Sequence, residues 1–184
     1  MGVDKALLPV MRETMLSFIV RRYSTAFSDI ILSCDKPGRY DIPGTRQVYD
    51  SYPASGPMAG LLAAFAATDA EHVFLTAVDM PFSSPELAAW LYDEIGSAPV
   101  RLFRYRNFLE PLYGMYSRRL VSKIEQCLQH NQNSLRHIID PLEADILEAC
   151  EQDHSFSEIF TNINTFDDYQ RALPRFQHYE DKEL

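Results

Sequence analysis

The sequence predicts an α/β fold with a mostly parallel sheet. Three observations lead there. Strand-like runs alternate with amphipathic helical runs along the chain. One run, HVFLTAVD at 72–79, is apolar at nearly every position, the pattern of a central strand covered on both faces. The 184 residues contain no internal repeat, low-complexity tract or linker, so a single domain over 1–184 is expected.

The elements follow in order. Met15, Phe18, Ile19, Tyr23 and Ala26 recur at helical spacing. DIILSC (29–34) is short and β-branched, a strand. DKPGRYDIPGT (35–45) carries two prolines and two glycines and reads as a loop. RQVYD (46–50) is a short strand ending at Asp50. GPMAGLLAAFAAT (56–68) sets Met58, Leu61, Leu62 and Phe65 on one helical face, with alanines that permit close packing on a sheet. After the run at 72–79, SSPELAAWLYDEI offers Ser84 as cap and Pro85 in the first helical turn. VRLFRYRNFLEPLYGMY (100–116) is one strand or two, broken at Asn107 or at Glu110-Pro111. SRRLVSKIEQCLQ (117–129) is an amphipathic helix, NSLRHIID a short one and ADILEAC (144–150) a strand. FTNINTFDDYQRAL ends in a helix capped by Thr165 and stopped by Pro174, after which residues 175–184 are expected to fray.

Composition narrows the partners. The net charge of −9 argues against a nucleic-acid backbone or an anionic membrane as a main partner. No apolar run approaches the roughly 20 residues that span a bilayer, and the first twenty residues lack a leader pattern. A cytoplasmic location is expected. Cys34, Cys127 and Cys150 are odd in number and match no zinc spacing, so they read as buried or half-buried thiols in a reducing compartment. The five histidines form no metal-binding pair, and Arg21-Arg22 and Arg118-Arg119 read as solvated helix faces.

In open α/β sheets ligands bind beyond the carboxyl ends of the strands, so residues just after the strands carry the chemistry. Asp79 follows the most apolar strand. It either holds a hard cation together with substrate phosphates or caps the turn, and the pattern supports both. Gly56 and Gly60 flank a helix start, suited to a ligand approaching the backbone or to close helix–sheet packing. Asp50 either binds a ribose or base or caps a turn. Lys5 lies in a loop where an ammonium suits phosphate, although a lone lysine is usually just solvated. Asn162 and Asn164 alternate along TNINT and share one side of an extended segment, facing a polar ring or serving turn chemistry before Thr165.

Taken in order, MGVDKALL, DSYPASGPMAGLLAAF, VFLTAVDMPF, EPLYGMY and TNINTFDDY resemble the molybdenum cofactor guanylyltransferases, part of the nucleotidyltransferases with a Rossmann-like sheet. The resemblance covers nearly the whole chain. It implies transfer of GMP from GTP to the molybdopterin-bound molybdenum cofactor, with pyrophosphate released and magnesium as cofactor. It implies that Lys5 contacts the nucleotide phosphates within a loop that includes Gly2. Asp50, Gly56 and Gly60 would bind guanosine, and Asp79 would hold magnesium. Asn162 and Asn164 would serve the pterin side, joined on a looser match by Arg136. Molybdoenzymes and other cofactor-biosynthesis proteins are implied as partners. Cytidylyl transfer to the same cofactor is the nearest alternative, and VDMP and GPMAGL favour guanine by resemblance.

The front of the chain departs from the family. Members begin with a strand and a loop of pattern LAGGxSxRMG, and here Met1-Gly2 coincides only with its last two letters. The first strand of the sheet is therefore expected to be missing, leaving unpaired edges on both sides of its place. Either the natural chain is longer by roughly 15 to 20 residues, or this form no longer turns over GTP and serves as a non-catalytic protein binding the cofactor or a partner.

Overall fold

The computed structural model describes residues 4–36, 38–50, 52 and 55–180. Gly2 lies outside the described residues, as do positions 181–184.

A 3-10 turn at Lys5–Leu7 precedes a small antiparallel ribbon of β1 (Pro9–Val10) and β2 (Glu13–Thr14), which enters α1 (Met15–Tyr23). There follow β3 (Ile30–Cys34), β4 (Thr45–Tyr49), α2 (Gly56–Ala67), β5 (His72–Thr76), α3 (Pro85–Asp93), β6 (Val100–Tyr105), β7 (Phe108–Ser117), α4 (Val121–Gln129), β8 (Asp145–Glu148), α5 (His154–Ile159) and α6 (Phe166–Glu180). Short 3-10 turns at Arg118–Leu120 and Leu135–His137 bracket α4. The expected alternation of strands and helices is present.

The pairing corrects the expectation of a mostly parallel sheet. β3 and β4 are parallel, and so are β6 and β8, but β7 is antiparallel to both β5 and β6. The cause is a tight hairpin. Arg106 and Asn107 both adopt positive φ (48° and 67°), the backbone of a two-residue turn whose twist matches its strands, and it folds β7 back between β5 and β6. Asn107 is thus the break within 100–116. Glu110-Pro111 instead lies inside β7, at a register shift between the pairs Leu102–Gly114 and Arg104–Leu109. Pro111 is tolerated there because an irregular segment needs no ladder donor from it.

The sheet is divided among the described residues: β4 and β3 form one pair and β5-β7-β6-β8 the other sheet. This corrects the reading of 72–79. β5 ends at Thr76, and all five of its residues are half-buried, because it is an edge strand and not an enclosed central one.

Helices cover both faces. On one, Phe18 and Tyr23 of α1, Leu91 of α3 and Phe176 of α6 pack with Phe103 and Tyr113. On the other, Met58, Leu61 and Phe65 of α2 and Ile124 and Leu128 of α4 pack with Leu102 and Tyr116. Alternate residues of β6 therefore feed opposite cores. α2 spans β3, β4 and β5, and Val78 packs with Ile30 and Leu32, so these contacts join the halves of the sheet.

Three further expectations change. α6 continues through Pro174 to Glu180, so neither the stop nor the frayed segment holds over 175–180. A helix-interior proline costs about 3 kcal/mol, whereas Tyr169, Ala172 and Phe176 are buried on one face and each large side chain returns roughly 2 kcal/mol. Arg22 and Arg118 are not solvated faces. Arg22 is buried, and Arg118 donates to the carbonyls of Phe65 and Thr68 at the end of α2 and to that of Ala70 in the loop beyond. Cys150 is exposed, while Cys34 and Cys127 are buried.

Candidate active site

Three segments converge beyond the carboxyl end of β5. The first carries Lys5. Asp4 caps the 3-10 turn by accepting from the Ala6 N–H at 3.1 Å. Arg39 donates to Asp4 Oδ2 from Nε (3.0 Å) and Nη2 (2.8 Å), and the Tyr40 hydroxyl donates at 3.0 Å. Burial alone would raise the Asp4 carboxyl, but these bonds outweigh it and hold it below the usual range. The loop at 38–44 thereby fixes the turn that presents Lys5.

The second segment is VDMPF. Asp79 stands in a turn closed by the Met80 N–H on the Ala77 carbonyl (3.1 Å). Met80 and Phe82 are buried, and Ser83 donates to the Met80 carbonyl at 2.8 Å and pairs with the Tyr23 hydroxyl at 2.9 Å. Arg22 Nη1 donates to the Pro81 carbonyl at 2.6 Å, with its guanidinium 4.4 Å from the Tyr179 ring centroid. The turn is therefore anchored at several points.

The third is TNINT. Thr165 and Asp168 form a capping box at the start of α6. The Asp168 N–H donates to Thr165 Oγ1 (3.1 Å), and Asp168 Oδ2 accepts from the Thr165 N–H (2.8 Å). Hydrogen bonding to Thr165, with the Asn164 N–H in addition, holds the Asp168 carboxyl down at about 2. Ile163 donates its N–H to the Asp79 carbonyl at 2.8 Å, tying this segment to the second.

Lys5, Asp79 and Asn164 meet as a result. Lys5 Nζ donates to Asn164 Oδ1 at 2.8 Å and lies 3.6 Å from Asp79 Oδ2. Asp79 Oδ1 is buried and has no hydrogen-bond partner among the described residues. An orphaned carboxylate oxygen beside a half-buried lysine fits a divalent cation shared with substrate phosphates. No cluster of three or more His, Cys, Asp or Glu able to hold a metal occurs among the described residues.

The other expected residues lie around this centre. Asn162 is exposed, as is Asn164, with buried Ile163 between them. Asp50 follows β4, and its Oδ1 accepts from Ser33 Oγ at 2.7 Å. Gly60 lies against the same pair: a Cβ there would come within 2.7 Å of Ser33 Oγ and 3.8 Å of Asp50 Oδ1, so α2 packs on β3 only if this residue has no side chain. Gly56 has φ +63° with open space around it, so the need there is for backbone conformation. Arg136 is exposed, in the 3-10 turn beyond α4, and its charge acts on Glu110. Sequence reasoning gave no role to Ser33, Arg39 or Glu110. EPLYGMY displays Glu110, but its half-burial is created by the fold.

A model of the MobA-like NTP transferase domain matches residues 1–151. The chain belongs to this family. A probable molybdenum cofactor guanylyltransferase of Pelotomaculum thermopropionicum is 30% identical over 177 residues, covering 94% of this chain and 85% of that protein. Among solved structures, molybdopterin-guanine dinucleotide biosynthesis protein A of Archaeoglobus fulgidus superposes with a TM-score of 0.79 at 21% identity, covering 96% and 92% of the two chains. The manganese complex of Rv0371c from Mycobacterium tuberculosis superposes with a TM-score of 0.63 at 22% identity over 94% and 93%. The fold is that of the Rossmann-like nucleotidyltransferases, as the resemblance implied, and the chain is a member of a nucleotidyltransferase enzyme family.

Proposed function

We propose that this protein transfers GMP from GTP to the terminal phosphate of molybdopterin carrying molybdenum, giving the guanine dinucleotide cofactor and pyrophosphate. The observation that carries the reading is the meeting of Lys5, Asp79 and Asn164 beyond β5, on a chain whose relatives are named molybdenum cofactor guanylyltransferases.

The transfer forms one P–O bond, from an acceptor phosphate oxygen to the α-phosphorus of GTP, and breaks the α–β bridge. The electron pair leaves on pyrophosphate. Such a step requires positioning and charge neutralisation more than covalent help. Lys5 places an ammonium where charge accumulates on the leaving group. Asn164 accepts from that ammonium and so aims it. Asp79 is the residue that would hold magnesium, which supplies Lewis-acid stabilisation of the phosphoryl oxygens when bound. Asp50, Gly56 and Gly60 would serve the guanosine side, and Asn162 and Arg136 the acceptor side. No helix among the described residues is long and apolar enough to cross a membrane. The proposed product would pass to molybdoenzymes in the cytoplasm.

Asp79→Ala tests the assignment. Transfer of labelled GMP to molybdopterin with magnesium should fall by about a hundredfold or more, with the thermal midpoint little changed. Near-normal transfer by the variant would sink the reading. Competition of GTP against CTP decides the base, and preference for CTP would overturn guanylyl transfer.

A further inference from the structure

Glu110 is an acid without an assigned use. It lies in β7 at the register shift, where residues 110–113 stand opposite Phe103 alone. Such irregularities re-aim side chains and recur beside active sites. The Pro111 carbonyl accepts from the Tyr116 hydroxyl at 2.7 Å, which pins the segment. Its place follows from pairing. Tyr113 is opposite Thr76, and the strands run antiparallel. Glu110 precedes Tyr113 by as many positions as Asp79 follows Thr76, so both carboxylates lie at the same end of the sheet.

Its surroundings are those of a receptor. The residue is half-buried between Leu109 and Leu112, which pack into the core beneath α2 and α4. No hydrogen bond or ion pair involves its carboxylate among the described residues, and Arg136 is the charged group that acts on it. Loss of solvent pushes its pKa up to about 7, against the lowering effect of Arg136. On the segment leading to Arg136, Asn133 Oδ1 is also buried without a hydrogen-bond partner among the described residues. Among the described residues two acceptors therefore stand unfilled, one on β7 and one on the segment that leads to Arg136.

We infer that Glu110 is a specificity residue whose carboxylate accepts the paired N–H groups of a 2-amino-4-oxopyrimidine edge, that of the acceptor's pterin ring. This rests on the function proposed above. A carboxylate matches the adjacent ring N–H and exocyclic amino group of that edge as it matches a guanidinium fork. Guanine carries the same edge. Position selects the pterin: Asp50, Ser33 and Gly60 sit with β3, β4 and α2, whereas Glu110 lies on β7, which pairs with β5 in the other part of the divided sheet. With Asp79 between them, the two heterocycles would occupy opposite ends of the crevice, their phosphates meeting at Lys5 and Asp79.

The experiment compares the wild-type chain with Glu110→Gln, which keeps the shape and removes the paired acceptors, and with Glu110→Asp. KM for molybdopterin should rise about tenfold to a hundredfold in Glu110→Gln. KM for GTP and kcat at saturating acceptor should stay within about twofold. Glu110→Asp should lose less. Independently of turnover, fluorescence titration should show wild-type binding of pterin over lumazine, which carries an oxygen in place of the 2-amino group, and the variant should lose that preference. Loss of discrimination between GTP and ITP would show that Glu110 reads guanine and overturn the inference, as would unchanged KM for both substrates. A wild type that transfers no GMP yet prefers pterin to lumazine would refute the proposed reaction and leave the role of Glu110 standing.

Discussion

At Asp79 one carboxylate oxygen lies 3.6 Å from the Lys5 ammonium, and the other is buried without a hydrogen-bond partner among the described residues. That asymmetry supports the proposed cation-binding role over a turn cap, a choice the pattern VDMP alone leaves open. Lys5 shows the same limit: its charge is legible in the sequence, but its two partners lie 74 and 159 positions away. Glu110 was the least legible, because nothing in EPLYGMY says how much water reaches that carboxylate. Its titration has a consequence for stability. The folded pKa of about 7 exceeds the ordinary 4.5, so the folded chain binds more protons than the unfolded chain between those values. Stability is greatest below the lower value and declines as pH rises through the upper one. Glu110→Gln, which cannot ionise, should match the wild type in thermal midpoint near pH 4 and exceed it at pH 8. A difference that shrinks with rising pH would contradict the assignment.

Among elements, α1 and α6 do more than cover the sheet. Both grip the turn that presents Asp79. Arg22 projects from α1 to the Pro81 carbonyl, and Tyr179 of α6 stacks on Arg22. Phe176 and Tyr179 also pack on Phe82. Arg22→Ala leaves the buried Pro81 carbonyl unpaired and removes a charged hydrogen bond, a loss of about 2–4 kcal/mol. Denaturant unfolding should show that loss, and guanylyl transfer should fall although Arg22 touches no substrate. A variant of wild-type stability would show that the turn is held by its apolar contacts alone. Helix positions were readable from apolar spacing. The course of α6 past Pro174 was not, because local propensity argues for a stop there and only the core site awaiting Phe176 outweighs it.

Across the whole molecule, the sheet divides between β3 and β5, and α1, α2 and the 77–80 turn span the division. Among the described residues β6 and β7 have partners on both sides, whereas β3 and β5 each have one. Native-state hydrogen exchange should therefore find the β6 and β7 amides best protected and those of β3 and β5 opening more readily. Uniform protection across the four strands would show that the helices lock both halves into one unit. By itself the sequence determined the alternating α/β order, most element positions, and the residue types at Lys5, Asp79 and Asn164, because those follow from local periodicity, caps and charge. Only the tertiary structure decided the antiparallel insertion of β7, the half-burial of β5 and the meeting of Lys5 with Asp79. It also decided the isolation of Glu110, since pairing, edges and solvent access depend on residues far apart in the chain.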